Sequence, residues 1–117
     1  MKITEMRTYV IDGMLDEKFL KLYGALDIMK QRKRYDDILA KALKLYGDQE
    51  ARIYSAPGRT EVGGNHTDHQ LGKVVGASLN LDVVAVVIPT DDNVVRYASR
   101  GFEVKPVDVS DLEVHPD

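Results

Sequence analysis

The stretch Ser55-Ala56-Pro57-Gly58-Arg59-Thr60-Glu61-Val62-Gly63-Gly64-Asn65-His66-Thr67-Asp68-His69-Gln70-Leu71-Gly72 divides the chain. Before it, apolar residues recur at helical steps. After it, they alternate or run continuously, as in strands. The stretch itself has almost no apolar spacing. It gathers Arg59, Glu61, Asn65, His66, Asp68 and His69 around its glycines. Gly63-Gly64 allow backbone angles that other residues resist, and they let a ligand approach closely. Such a segment reads as a binding or catalytic loop carried on a rigid scaffold.

A chain of 117 residues is one domain or part of one. With 44% hydrophobic and 30% charged residues it has enough apolar material for a single small core. A net charge of -3 offers no basic footprint for nucleic acid. The one basic cluster, Lys30-Gln31-Arg32-Lys33-Arg34, lies in a helical pattern and reads as a solvated face, with a phosphate or acidic partner as the alternative. There are no cysteines, which excludes disulfides, thiolate chemistry and zinc–thiolate sites. The segment Met1 to Arg7 lacks the apolar core of a signal peptide. The longest apolar run, Val83 to Ile88, is far too short to span a bilayer. The expectation is a soluble, cytoplasmic protein without a nucleic-acid or membrane partner.

The spacing predicts a helical region over residues 1–50 and a strand-rich region over 51–117, with the loop at 56–72 inside the latter. Thr4 is a candidate cap for a helix toward Ile11, stopped by Asp12-Gly13; a strand from Lys2 to Val10 is the rival reading. Asp16 looks like the cap of a second helix, with Leu15, Phe19 and Leu22 on one face and Gly24 at its end. The third helix runs from about Asp27 to Tyr46. Ile28, Tyr35, Ile38, Leu39, Ala42, Leu43 and Tyr46 form its stripe, and Gly47 terminates it.

Arg52 to Ala56 reads as a strand that Pro57 ends or makes an edge. Thr60 to Val62 could pair again. Val83 to Ile88 is apolar on both faces and predicts a strand covered on both sides. Pro89 to Asn93 is dense in turn residues, so Val94 to Arg100 is expected to return as its hairpin partner. Phe102 to Val104 and Val107 to Val109 could add a strand. The tail from Ser110 neither caps a helix nor closes a sheet, as if the chain stopped within a larger fold. The fold class expected is α+β, with N-terminal helices packed beside a mostly antiparallel or mixed sheet.

Residue types alone leave four readings of the central loop. His66, Asp68 and His69 are metal-ligand types, but a strand would point His69 away from the other two, and His115 is the sole other histidine. A phosphate loop is suggested by the glycines, yet Gly72-Lys73-Val74 lacks the hydroxyl that holds magnesium. A sugar site needs several donors and acceptors close together, and Asn65, His66 and Asp68 supply both kinds. The fourth reading is structural: the polar groups satisfy one another around a glycine turn.

The same stretch resembles the N-terminal motif of galactokinases, members of the GHMP sugar and metabolite kinases. That pattern reads Gly-Arg-x-Asn-x-x-Gly-Glu-His-x-Asp-Tyr after Ala-Pro. Ala56, Pro57, Gly58, Arg59, Gly64, His66 and Asp68 match it in register. Leu79-Asn80-Leu81-Asp82 and the strand ending Pro89-Thr90-Asp91-Asp92 also look like the family, so the resemblance covers about Arg52 to Leu112. It implies a galactose-binding portion of an enzyme that phosphorylates galactose with ATP to galactose 1-phosphate. Arg59 would be the catalytic residue, stabilising charge on the reacting hydroxyl and the transferring phosphate. His66 and Asp68 would bind galactose hydroxyls, with Asn65 beside them.

This sequence departs from the pattern at three places. Asn65 stands for a Glu, Glu61 for an Asn and His69 for a Tyr. An amide at 65 keeps an acceptor and gains donors but loses charge. The family's glycine- and serine-rich triphosphate loop and its catalytic aspartate have no counterpart here. The resemblance therefore implies that ATP and Mg2+ belong to the full-length parent, that no metal is bound by this segment, and that the C-terminal remainder of the kinase is its partner. Two alternatives stand beside it: a non-catalytic sugar sensor on the same fold, and a kinase for another sugar.

Overall fold

A computed structural model describes the chain over residues 1–64 and 67–113, with the backbone only at Asp68. Three helices come first: α1 (Ile3–Ile11), α2 (Asp16–Tyr23) and α3 (Ile28–Tyr46). Four strands follow: β1 (Arg52–Gly63), β2 (Val75–Val87), β3 (Val94–Val95) and β4 (Val107–Asp108). Single 3-10 turns lie at Ala25–Asp27 and Asp68–Gln70. β1 pairs antiparallel with β2, and β3 with β4. The α+β class and the placing of helices beside antiparallel strands are as the sequence predicts.

The N-terminal segment is helical, against the rival strand. Thr4 is not its cap. Lys2 holds that position with an extended backbone, and its N–H donates to Glu5 at 3.0 Å. Thr4 instead binds Asp48 beyond α3 twice, through its N–H and its hydroxyl, each at 2.9 Å. Asp16 opens α2 and pairs with Arg32 of α3. Gly24 and Gly47 end their helices at φ of 85° and 75°, angles that a side chain at Cβ would oppose.

The core is a helical product. Ile3, Met6 and Val10 of α1 meet Phe19 and Tyr23 of α2 and Tyr35, Leu39 and Ala42 of α3. These positions recur at three- and four-residue steps, which is what puts them on one stripe. The Phe19 ring meets Tyr35 edge-on with centroids 4.8 Å apart, a favourable arrangement of ring quadrupoles. Arg7 of α1 grips Asp36 of α3 through two nitrogens, at 2.6 and 3.1 Å. Ile53 of β1 and Val84, Val86 and Ile88 rest against this core from the sheet side.

One strand expectation is narrowed and two are corrected. β1 continues through Pro57 to Gly63, so of the two readings at Pro57 the edge strand holds and the strand end does not. A missing N–H is tolerated because, among the described residues, β1 and β2 form a two-stranded ribbon in which each strand has an open edge. The apolar run is not covered on both sides by the described residues. Val84, Val86 and Ile88 are half-buried against the helices, whereas Val83 keeps 72% of its exposure. Finally, Val94–Val95 does not return along β2. It pairs with Val107–Asp108, and the turn at Ser99–Phe102 folds between them.

Candidate functional site

The site is built on the far end of the ribbon. From Arg52↔Val87 to Pro57↔Asp82 the register is regular. The next pair is Arg59↔Ser78, so β1 advances two residues while β2 advances four. The extra residues bulge opposite Gly58. A Cβ at Gly58 would lie 3.2 Å from the Leu81 carbonyl oxygen, which explains a glycine where the strands come close. Arg59 follows at once, exposed on the strand. Thus Arg59 belongs to a β-strand, not to a free loop.

Beyond Gly63 the chain closes on itself. The Thr67 hydroxyl donates to the Gly64 carbonyl at 2.7 Å. The Thr67 carbonyl in turn accepts from the N–H groups of Gln70 at 3.0 Å and Gly72 at 2.8 Å. Gly64 has a φ of 105°, and a Cβ there would lie 2.4 Å from the Lys73 carbonyl oxygen. A Cβ at Gly72 would meet the Thr67 hydroxyl at 2.0 Å. Both glycines therefore let other parts of the chain itself approach, whereas the sequence reading reserves the room at Gly63-Gly64 for a ligand. Asp68 starts the 3-10 turn Asp68–Gln70. Asn65 and His66 lie outside the described residues, as does His115. Among the described residues no group of three or more His, Asp or Glu side chains could hold a metal ion.

Residues 43–89 match the galactokinase galactose-binding signature, which takes in the end of α3, both ribbon strands and the turn between them. Over these residues the chain is similar to galactokinases. The galactokinase of Streptomyces coelicolor is 33% identical over 62% of this chain and 19% of its own length. That of Lactobacillus helveticus is 31% identical over 70% of this chain and 22% of its own. That of Enterococcus faecalis is 30% identical over 56% and 17%. The chain thus spans about a fifth of the length of the curated galactokinases it matches. No solved structure matches it. No helix among the described residues is long and apolar enough to cross a membrane.

Behind the ribbon lies a polar cluster that the sequence reading did not single out. The Asp82 side chain keeps only 3% of its exposure. Oδ1 accepts from Arg34 Nη1 at 2.6 Å. Oδ2 accepts from the Tyr23 hydroxyl at 2.6 Å and from the Ser55 hydroxyl. Arg34 Nη2 also donates to the Asp82 carbonyl oxygen at 2.8 Å. Tyr23 and Tyr35 hydroxyls lie 2.9 Å apart. Since Tyr23 spends its proton on a carboxylate that can only accept, Tyr35 is the donor in that contact. Burial pushes Asp82 upward, but the hydrogen bonds from Ser55, Tyr23 and Arg34 outweigh it and hold the carboxyl below its ordinary value. Burial and then the bond to Asp82 push the Tyr23 phenol up.

This cluster also corrects the reading of the basic run as a solvated face. Lys30 and Lys33 are exposed, but Arg32 ties α3 to Asp16 of α2 and Arg34 ties it to Asp82 of β2. A signal was available in the sequence. Asp82 shares its parity with Val84, Val86 and Ile88, so the strand's buried face carries a carboxylate. Such a carboxylate demands a cationic or hydroxyl partner.

Proposed function

We propose that this chain supplies the galactose-binding side of an ATP-dependent galactose kinase. The observation that carries the reading is the galactokinase galactose-binding signature over residues 43–89, with Arg59 exposed inside it. Arg59 would oppose negative charge on the sugar's reacting hydroxyl and on the transferring phosphate, the role a fixed guanidinium performs best. Asn65, His66 and Asp68 would hold the sugar. A carboxylate at 68 can accept from two neighbouring hydroxyls and so read their stereochemistry. ATP and Mg2+ are assigned to the remainder of the enzyme, as is the base. By itself the chain would bind sugar without transferring phosphate, in a cytoplasmic enzyme.

The test is a titration of the chain with galactose, with glucose as control, followed by amide NMR. Shifts confined to residues 58–72 and seen with galactose alone are expected, and Asp68→Ala removes them while the remaining spectrum stays dispersed. Equal responses to both sugars, or an unchanged response in Asp68→Ala, would overturn the reading.

A further inference from the structure

Asp82 stands where three parts of the molecule meet. Its side chain and its carbonyl are both held by Arg34 of α3, its second oxygen by Tyr23 of α2, and that same oxygen by Ser55 of β1. Across the ribbon its partner is Pro57, the last pair before the register slips. Beyond it, Leu79, Asn80 and Leu81 bulge, and Leu81 is 71% exposed. Arg59 lies two residues past Pro57, or roughly 7 Å along an extended strand. Asp82 is therefore the final point at which the ribbon is fastened to the helices before the strand delivers Arg59.

The fastening is directional. A guanidinium that binds one carboxylate oxygen and the carbonyl of the same residue fixes the peptide as well as the side chain. Tyr23 and Ser55 approach from the other two elements. An apolar contact could slide along the ribbon, whereas a hub with donors from α2, α3 and β1 admits one register and one crossing angle.

We propose that Asp82 is a positioning residue: it clamps the ribbon to α2 and α3 at the edge of the bulge and thereby sets where Arg59 is presented. The ribbon clamp stands on geometry alone; its consequence for the work of Arg59 rests on the function proposed above. The clamp acts through Arg34, Tyr23 and Ser55 and does not touch the sugar.

The chain has no cysteine, so spin labels can be placed singly at Lys41→Cys on the exposed face of α3 and at Val62→Cys on β1. Pulsed electron resonance then reads the distance between helix and ribbon. A single narrow distribution is expected for the parent protein. Asp82→Asn should widen it while the circular dichroism of the helices is retained. Ser55→Ala, which removes one donor at an exposed edge and is the milder change, should widen it less. An unchanged distribution in both variants would overturn the proposal. So would a distribution that widens only in proportion to lost helix signal, the mark of a merely structural role. If the parent failed to bind galactose yet Asp82→Asn widened the distance, the clamp would stand and the sugar reading would fall.

Discussion

The helical layer and the β-ribbon are adjacent but are held by different physics. The helices share a dry stripe in which Phe19, Ile3, Leu39 and Val10 are fully buried. The ribbon has no such interior. It leans on the helices through Ile53, Val84 and Val86 and is pinned by one carboxylate, while Tyr54, Leu81 and Val83 on its other side remain exposed. Non-directional burial stabilises the first region; oriented hydrogen bonds locate the second. The difference suits a site carried on the ribbon. A packed core gives stability wherever its side chains fit, but a guanidinium such as Arg59 is useful only at a fixed place.

The sharpest way to break the comparison is at Phe19. Phe19→Ala removes a ring that touches Tyr23 and Tyr35 and leaves a cavity among all three helices. Such truncations cost about 3–5 kcal/mol, enough to unfold a small domain. A urea titration followed by circular dichroism should show the midpoint collapse. A loss below about 1 kcal/mol would mean that the helical stripe is not the core.

Asp82→Asn should come next, at about 2 kcal/mol near neutral pH, the scale of hydrogen bonds to a charged group. The effect has a definite pH sign. Asp82 is depressed below the ordinary 3.8 in the folded protein. Its stabilisation is therefore fully present above the unfolded value and is lost as pH falls through the lower folded value. Arg34 and Tyr23, which face it, are pushed up rather than down and stay protonated throughout that range. The stability gap between parent and Asp82→Asn should thus narrow on acidification below pH 4. A gap that stays constant or grows would show that the carboxylate is not the pin.

Gly64→Ala sharpens the comparison locally, at about 1–3 kcal/mol. The residue must keep a φ of 105° and would press a methyl against the Lys73 carbonyl. Hydrogen exchange should accelerate at Thr67, Gln70 and Gly72 and stay unchanged in α1 and α3. Acceleration throughout the helices would contradict the separation of the two regions.

The helices were legible because their signal is local. Stripe, terminating glycines and length all sit within one segment, and α2 and α3 fall within a residue of the spacing prediction. The ribbon was legible in kind but not in extent, since Pro57 forbids only a central strand and nothing local says how many strands flank it. Strand partners are a long-range choice, which is why Val94–Val95 went to β4. In the candidate site, the motif singles out Arg59, whereas nothing local singles out Asp82. Its meaning depends on Tyr23 and Arg34, which lie far off in the chain and look unremarkable there.

The smallest effect tests the ribbon against itself. Val83 and Val84 are neighbours in one apolar run and look equivalent in the sequence. The pleat sends them to opposite sides: Val84 is half-buried against the helical core, and Val83 is 72% exposed. Thr keeps the branching that a strand favours but adds a hydroxyl. On the outer side that hydroxyl meets water, so Val83→Thr should stay within about 0.5 kcal/mol of the parent. On the inner side it must be desolvated beside apolar neighbours, so Val84→Thr should cost more, about 1 kcal/mol or above. Thermal denaturation of the two variants side by side decides it. Equal losses at both positions would mean that the outer side is as dry as the inner one. The contrast between a packed helical layer and a ribbon open on one side would then disappear.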